Sequence, residues 1–265
     1  MAGVAADVHP DSGAASEWWR AYFEAPLWQA VQLGWDSLEG ESSEEQTDRI
    51  VEALRLDPGT RVLDAPCGAA RIAIELAARG MHTAGLDITD AFLDEGRRRA
   101  AARGVDVEMV RGDLRDAGAV PPGAFDAVVC IWGSFGYFDE SGNRAQARAA
   151  ATALRPGGLY LLDMPSTETL YRRFRERNWF EVGEVTVLQE TELSLGTGRA
   201  ETTWTFIRGA ERETRRSSIR VYSLHELTNL LRSVGFASFE ARDGDLEPFE
   251  LDSHRLWLVA TRGDD

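Results

Sequence analysis

Apolar and polar positions alternate between two patterns along most of the chain. Short apolar runs occupy residues 62–63, 82–87, 107–110, 125–131 and 159–163. Turns and segments with apolar residues three and four positions apart separate most of these runs, and that spacing is typical of amphipathic helices. The alternation of strand and helix predicts a parallel sheet with helices on both faces.

Helix ends are recognisable at three places in this region. A helix beginning at residue 89 or 90 is predicted to end at about Arg103, before Gly104, and another covers residues 141–154. A third begins with a capping box near residue 223 and ends at Gly235. These helices connect the predicted strands.

The pattern changes between Asp163 and Val221. Alternating residues at 185–193, 202–207 and 218–222 predict strands of an antiparallel sheet, with a Gly-rich turn between the first two. Two last strands, 237–242 and 256–261, bring the main sheet to seven. The expected fold class is α/β, a doubly wound and mostly parallel sheet with an antiparallel insert.

Composition narrows the classes of function. The chain has 265 residues, 43% of them hydrophobic, and no apolar run of 18 residues that could cross a membrane. All 29 basic residues are arginine and the formal charge is −15, which argues against a nucleic-acid partner. Two separated cysteines indicate neither disulfides nor a metal site. Without a visible secretory signal, we expect a cytoplasmic enzyme that binds no membrane.

The turn after the first strand is the most informative segment. Val62 and Leu63 lead into Asp64, then a tight turn with Gly68, then a helix that ends at Gly80. This order places free backbone N–H groups at the carboxyl edge of the sheet, where α/β proteins bind nucleosides. A carboxylate at this point repels a pyrophosphate and suits a ligand with an ammonium group, which disfavours an NAD-dependent oxidoreductase.

Acidic residues also follow the next strands. Asp87 ends the second strand, a little over 20 residues beyond Asp64, where a carboxylate contacts ribose hydroxyls in nucleoside-binding folds. The third strand leads into a turn with Asp113, and the fourth leads into the aromatic loop 132–138. Each acid alone is equally consistent with a solvated strand end or a helix cap.

Together these turns resemble motifs I to V of the class I S-adenosylmethionine-dependent methyltransferases, over residues 58–165 and the tail from 219. Motif I of that family is usually D/E-x-G-x-G-x-G, and here Pro66 and Ala70 replace the first and third glycines. The resemblance implies a Rossmann-like fold, S-adenosyl-L-methionine as cofactor and S-adenosyl-L-homocysteine as product. It also implies in-line transfer of a methyl group to nitrogen, oxygen or carbon of a small metabolite.

The resemblance assigns roles to individual positions. It implies that Asp113 accepts a hydrogen bond from the adenine amino group, and that neighbouring N–H groups contact the ring. The expected cofactor-binding residues are Tyr22, Asp64, Ala65, Pro66, Gly68, Arg71, Asp87, Ile88, Gly112, Asp113, Leu114, Ile131 and Trp132.

The acceptor side is expected from the aromatic segments. Residues 1–16 are predicted to be a disordered tail and residues 17–57 a helical lid, although i, i+4 aromatic pairs near Trp19 also fit plain packing. The expected substrate-binding residues are Trp19, Trp28, Ser134, Phe135 and Tyr137, and the expected catalytic groups are Tyr222 and His225. No metal ligand set is recognisable.

The predicted domains are a cofactor-binding core of residues 58–165 and 222–265, and an insert of residues 166–221. In similar small-molecule enzymes, such an insert covers the substrate or forms a dimer contact, so a homodimer is one expectation. The expected partner is a small-molecule methyl acceptor. A regulatory protein that binds the cofactor without turnover remains an alternative, as does an NAD-dependent oxidoreductase.

Overall fold

The protein is described by a computed structural model that covers residues 17–34 and 42–264. The predicted disordered tail, residues 1–16, lies outside the described residues, as does part of the predicted lid. The helices are α1 (Trp18–Phe23), α2 (Pro26–Gly34), α3 (Ser43–Leu54), α4 (Arg71–Ala78), α5 (Asp90–Arg103), α6 (Glu140–Ala153), α7 (Thr167–Arg173) and α8 (Leu224–Arg232). The strands are β1 (Arg61–Asp64), β2 (His82–Asp87), β3 (Val107–Arg111), β4 (Phe125–Cys130), β5 (Leu154–Met164), β6 (Arg177–Val182), β7 (Val185–Ser194), β8 (Arg199–Arg208), β9 (Glu211–Arg220), β10 (Phe236–Arg242) and β11 (Leu256–Arg262).

The larger sheet has seven strands in the order β10-β11-β5-β4-β1-β2-β3. Strands β1 to β5 run parallel, whereas β11 pairs antiparallel with both β5 and β10. Strand β1 lies in the middle, with Asp64 aligned to Gly85 on β2 and to Val129 on β4. The predicted fold class, a mostly parallel seven-stranded sheet, is confirmed.

This sheet and its helices form one compact unit, made of residues 42–135, 140–173 and 223–264. A hydrophobic core of this unit joins Val62, Val129 and Leu161 of the central strands to Ile50 of α3 and Leu76 of α4. All five side chains are buried, as expected for parallel strands that are covered by helices. The rigid middle of the sheet therefore carries the loops at its edge.

Two helices of this unit begin with the same cap. Ser42 and Glu45 form a capping box at α3, and Ser223 and Glu226 form one at α8, as the sequence predicts for the second. In each box the serine hydroxyl accepts a bond from the third helical N–H, and the glutamate accepts from the serine N–H. The caps define where these helices start.

The second unit contains the antiparallel insert. It comprises residues 17–34, 136–139 and 174–222, and its sheet has four strands in the order β6-β7-β8-β9. The sequence predicts β7 and β8 and only the last three residues of β9, and it misses β6, an edge strand with few buried positions. The core of this unit is formed by α1, α2 and one face of the sheet.

The two units differ from the predicted domain boundaries in several places, and Tyr222 groups with the insert unit and not with the core. Helix α3 belongs with the seven-stranded sheet, although residues 17–57 are predicted to form one lid. Helix α7 also belongs with that sheet, so the insert begins at Phe174 and not at residue 166. The short segment Gly136–Asp139 groups with the insert. Sequence continuity does not reveal such groupings, because they depend on contacts between distant segments.

No helix among the described residues has the length and apolar character needed to span a bilayer.

Candidate functional site

Four loops leave the carboxyl ends of β1, β2, β3 and β4 at one edge of the seven-stranded sheet. The chain passes from β1 to β2 and β3 on one side, and continues to β4 on the other side of β1. Such a reversal opens a crevice at the carboxyl ends of the strands, where open α/β sheets bind ligands. Asp64 and Asp87 end the two adjacent strands β1 and β2.

The loop after β1 is held by the neighbouring strands. The Ala65 N–H donates to the Val129 carbonyl at 2.9 Å, and the Cys67 N–H donates to the Leu86 carbonyl at 3.0 Å. The peptide bond between Ala65 and Pro66 is cis. Gly68 has a φ of 53° and is the expected glycine at this position.

Ala70 precedes α4 with a φ of 60°, the left-handed conformation that glycine adopts most easily. The backbone therefore keeps a glycine-like shape at the third motif position even though alanine stands there.

Asp64 is 3% exposed and lies close to Arg71 at the start of α4. Burial raises the pKa of Asp64 from 3.8 to about 7, while Arg71 and the Ala73 N–H oppose this shift and Asp87 adds to it. A carboxyl group with this pKa changes charge near neutral pH. A cationic ligand group placed beside Asp64 would lower its pKa and favour the ionised carboxylate.

Asp87 connects the first two loops. One of its oxygens accepts from the Gly68 N–H and the other from the Thr89 N–H, both at 2.9 Å. Burial raises the pKa of Asp87, and these N–H groups act against that effect. A carboxylate oxygen can accept more than one bond, so Asp87 can hold the loops and still accept from a ligand hydroxyl.

The loop after β3 contains a local ion pair. Asp113 accepts from the Arg115 backbone N–H and from Nε, both at 2.9 Å, and from a terminal guanidinium nitrogen at 2.6 Å. At Gly112 a Cβ would lie 2.7 Å from the Leu86 side chain, so glycine is needed for close packing. The sequence predicts Asp113 at this edge but not its pairing with Arg115.

The loop after β4 begins with a left-handed residue. Trp132 has a φ of 64° and its backbone N–H donates to Oδ2 of Asp163 at 3.0 Å. Asp163 is buried and also accepts from Nε of Arg255 at 2.5 Å. The sequence does not indicate this role for Asp163, because an acid at the end of β5 looks the same whether it is solvated or buried. Ile131 packs in the core of the sheet.

The sequence also does not indicate the role of Gln46. It lies on α3, is 5% exposed, and its Oε1 accepts from Arg71 at 2.6 Å and from the Trp132 indole N–H at 2.9 Å. The Arg71 guanidinium lies over the Trp132 ring, 4.9 Å from its centroid. Gln46 therefore links α3 to two predicted cofactor-binding residues. A polar residue on the buried stripe of α3 is the signal that could have indicated it.

Ser134 and Phe135, which are predicted to contact substrate, are buried in the same loop. The Ser134 carbonyl accepts from Nε2 of Gln146 on α6 at 3.1 Å. Phe135 is 1% exposed. Ala65, Pro66, Ile88 and Leu114 lie in the loops at this edge, as predicted.

The remaining aromatic candidates belong to the insert unit. Tyr22 and Trp28 lie 4.7 Å apart between ring centroids, and Tyr22 also contacts Phe23, Trp204 and Phe206. Burial raises the pKa of Tyr22 well above its ordinary value. These side chains form the core of their unit, so the packing interpretation of the aromatic helix is the one the structure supports.

Two other aromatic residues of this unit contact the segment after Phe135. The Trp18 indole N–H donates to the Tyr137 carbonyl at 3.2 Å, and the rings of Trp18 and Tyr137 lie 5.4 Å apart. Trp19 contacts Phe138 edge to face, with 6.0 Å between centroids. Trp18 and Trp19 of α1 thus pack against Tyr137 and Phe138 of the segment Gly136–Asp139, within the insert unit.

Tyr222 and His225 are placed in different surroundings. Tyr222 is buried under the guanidinium of Arg220, which lies 4.5 Å from its ring centroid. His225 is exposed on α8 and its Nε2 pairs with Nδ2 of Asn229 at 2.9 Å. Neither arrangement supports the predicted catalytic role, which stays a prediction.

Methyltransferases are among the known proteins that this chain is similar to. Residues 62–158, the segment from β1 to β5, match the family described as Methyltransferase domain. A ubiquinone biosynthesis O-methyltransferase from Chromobacterium violaceum is 30% identical over 138 residues, which are 49% of this chain and 56% of that protein. A 23S rRNA (uracil(1939)-C(5))-methyltransferase from Alkalilimnicola ehrlichii is 35% identical over 86 residues, 31% of this chain and 19% of that protein.

The chain thus spans little more than half the length, or less, of these curated relatives. Among solved structures, the S-adenosylmethionine-bound amino pentose methyltransferase CalS10 from Micromonospora echinaspora has a TM-score of 0.65 and 22% identity, over 90% of this chain and 97% of its own. That likeness extends the shared fold beyond the matched segment. Residues 62–158 therefore match a methyltransferase domain, and the chain has the fold of the S-adenosylmethionine-bound CalS10.

Proposed function

We propose that this protein transfers the methyl group of S-adenosylmethionine to a small-molecule acceptor. The observation that carries the proposal is the buried carboxyl of Asp64 beside the guanidinium of Arg71, at the carboxyl edge of the sheet. The amino-acid end of the cofactor has an ammonium and a carboxylate. A carboxylate and a guanidinium are the complementary pair for such a zwitterion.

We assign Asp64 to the ammonium and Arg71 to the carboxylate of the cofactor. A ligand ammonium next to Asp64 favours the ionised carboxylate and so offsets the burial that raises its pKa. Arginine suits a carboxylate because its planar fork can donate two parallel bonds. The pair therefore discriminates in favour of an amino-acid end and against a pyrophosphate, which has no positive charge.

The nucleoside end falls to the next two loops. Asp87 accepts from the ribose hydroxyls, with Ile88 beside it, while its backbone bonds keep the loops in place. Asp113 accepts from the adenine amino group, and Gly112 and Leu114 flank it. Because Arg115 already donates three bonds to Asp113, it holds that carboxylate in one orientation.

Bound S-adenosylmethionine supplies an already activated methyl group, so the protein mainly aligns the reactants and excludes water. Ser134 and Phe135 follow β4 in the loop that begins at Trp132, and we assign this segment to the acceptor side. Correct orientation can supply roughly 7–11 kcal/mol of the barrier, so no nucleophilic residue is required.

The acceptor class rests on the names of similar proteins and on charge. One relative is named a ubiquinone biosynthesis O-methyltransferase, CalS10 is named an amino pentose methyltransferase, and another relative is named for 23S rRNA. The formal charge of −15 opposes binding to a polyanion, because such binding depends on clustered basic residues. We therefore favour a small molecule over RNA.

Titration calorimetry is the first test. S-adenosylmethionine and S-adenosylhomocysteine should bind in the micromolar range, whereas NADH should not bind. If neither sulfur nucleoside binds below millimolar concentration, the proposal is wrong.

The acceptor is then tested with labelled methyl donor, offered a metabolite extract and total RNA in separate reactions. Label should appear in low-mass products that mass spectrometry can identify. Label in RNA alone contradicts the small-molecule assignment. Cofactor binding without transfer to either pool favours a regulatory protein.

A further inference from the structure

Helix α3 contributes one buried amide to the cofactor edge, and the proposed mechanism does not use it. Oε1 of Gln46 receives two donors at once, the Arg71 guanidinium at 2.6 Å and the Trp132 indole N–H at 2.9 Å. Arg71 receives additional support from the Ser43 hydroxyl at 3.3 Å, one turn earlier on the same helix. The guanidinium is thus fixed from α3 on one side and from the Trp132 ring on another.

We propose that Gln46 is a positioning residue that fixes Arg71 against Trp132, and so sets how tightly the amino-acid end of the cofactor is bound. This inference rests on the proposed function, in which Arg71 receives the cofactor carboxylate beside Asp64. Gln46 itself acts through Arg71 and is assigned no contact with the cofactor.

The chemistry of an amide explains why glutamine stands at this position. Both hydrogen bonds are partly buried, and about 1–3 kcal/mol, the cost of a fully buried donor without a partner, is the upper range for losing their shared acceptor. A glutamate would also accept both bonds, but its negative charge would compete with the carboxylate of the ligand for Arg71. An apolar residue of the same length would fill the space and remove the acceptor that Arg71 and Trp132 share, leaving Arg71 held by the Ser43 hydroxyl. A neutral acceptor holds Arg71 without placing a competing negative charge beside it.

The position of Arg71 also affects Asp64. The charged and titratable groups around Asp64 are Arg71, Asp87, Cys67 and Cys130. Burial raises the pKa of both thiols, so neither carries charge at neutral pH. Arg71 is therefore the charged group that favours the ionised form of Asp64, together with the Ala73 N–H and against burial and Asp87. If Arg71 moves away, the pKa of Asp64 should rise further above 7.

The test compares Gln46→Met with Thr47→Val. Both changes remove a buried polar group from α3, but the Thr47 hydroxyl donates only to the Ser43 carbonyl, at 2.7 Å, and contacts neither Arg71 nor Trp132. Calorimetry would measure the binding of S-adenosylhomocysteine between pH 6 and pH 8. Methylthioadenosine, which has the nucleoside but no amino-acid end, serves as a second ligand.

Gln46→Met should weaken S-adenosylhomocysteine binding at pH 7 about tenfold, the loss expected for a hydrogen bond to a charged group. As the pH is lowered from 8, the affinity of the variant should also begin to fall at a higher pH than that of the wild type, because Asp64 becomes protonated earlier. Methylthioadenosine should bind both proteins alike, within about twofold. Thr47→Val should reproduce the wild-type pH profile, whatever its effect on stability.

Equal behaviour of Gln46→Met and Thr47→Val, or an equal loss for both ligands, would show that Gln46 only supports the helix. If Gln46→Met does not fold, Gln46→Glu tests the same inference, because it keeps both acceptor bonds. It should weaken S-adenosylhomocysteine and leave methylthioadenosine unchanged, and wild-type affinity for both would overturn the inference. Failure of the wild-type protein to bind S-adenosylhomocysteine would instead overturn the proposed function, and this inference with it.

Discussion

At the scale of the residue, the buried carboxyl of Asp64 is unfavourable to ionise in the free protein and suited to bind a cationic group of a ligand. Its surroundings disfavour charge, and only Arg71 and one N–H oppose that effect. The unliganded protein therefore holds this group near the point where it changes protonation at neutral pH. A ligand with a positive charge beside Asp64 favours the ionised carboxylate.

The first prediction concerns Asp64→Asn without ligand. The folded-state pKa of Asp64, about 7, lies above the usual 3.8, so its protonated form stabilises the fold at low pH and this stability is lost as pH rises towards 7. Asparagine cannot ionise. The melting temperature of the variant relative to wild type should therefore be higher at pH 8 than at pH 5, as scanning calorimetry can measure.

The same variant should bind S-adenosylmethionine at least about tenfold more weakly, since the carboxylate that pairs with the ammonium is gone. Arg71→Asn is the matched control, because it also weakens the binding of S-adenosylmethionine but leaves a carboxyl group that titrates at Asp64. A stability difference that is the same at both pH values would contradict the assigned pKa.

At the scale of the element, α3 is the least expected contributor. It packs with Ile50 and Leu54 in the main core, and the same buried stripe carries Gln46 to the cofactor edge. The capping box fixes where this helix starts. It therefore also fixes the position of Gln46, which lies in the first turn of the helix.

The second prediction concerns the two capping serines. Ser42→Ala and Ser223→Ala each remove the same cap, and each should lower the free energy of unfolding by about 0.5–2 kcal/mol. Only Ser42→Ala should also weaken the binding of S-adenosylmethionine, because α3 carries Gln46. Urea unfolding and calorimetry on both variants would check this, and equal ligand affinity in the two would separate α3 from the site.

The third prediction concerns the segment Gly136–Asp139 in the insert unit. Gly136 has a φ of 100°, and a Cβ there would lie 2.3 Å from the Arg220 carbonyl oxygen. Gly136→Ala should therefore lower stability by more than Gly209→Ala, where φ is 58° and a Cβ meets nothing within 4 Å. The control should cost about 1–2 kcal/mol. Similar unfolding midpoints would show that the segment can shift away from Arg220.

Much of this arrangement could be predicted, and the limits have physical causes. Strand runs and acids such as Asp64 and Asp87 carry their signal in a few adjacent residues, so the sheet and its edge follow from local patterns. Asp163 carries no such signal, and Gln46 shows only that a polar residue lies on the buried stripe of α3, because both roles depend on donors that lie far away in sequence. The insert strand β6 was missed because most of its side chains are exposed and break the expected alternation.

At the scale of the whole molecule, charge is the dominant property. The chain carries 44 acidic residues against 29 basic ones, and the isoelectric point is near 4.8. Many of the arginines pair locally with acids, as Glu95 does with Arg98 and Arg99, which lower the pKa of Glu95 to about 2. The excess negative charge remains unpaired overall and repels itself.

The fourth prediction follows from this excess. Raising the salt concentration from low values to about 0.5 M should increase the melting temperature at pH 8, because salt screens the repulsion between like charges. Near the isoelectric point of 4.8 the same salt should have a smaller effect. Equal salt effects at the two pH values would indicate preferential exclusion of the salt and not screening.

The division of the loop after β4 has a consequence for protein engineering. Trp132 to Phe135 belong with the seven-stranded sheet, while Gly136–Asp139 belong with the insert unit. A chimera that exchanges only residues 174–222 would separate the donated sheet from the four residues that pack with it. A transplant of the insert unit from a relative should therefore carry three segments together, residues 17–34, 136–139 and 174–222.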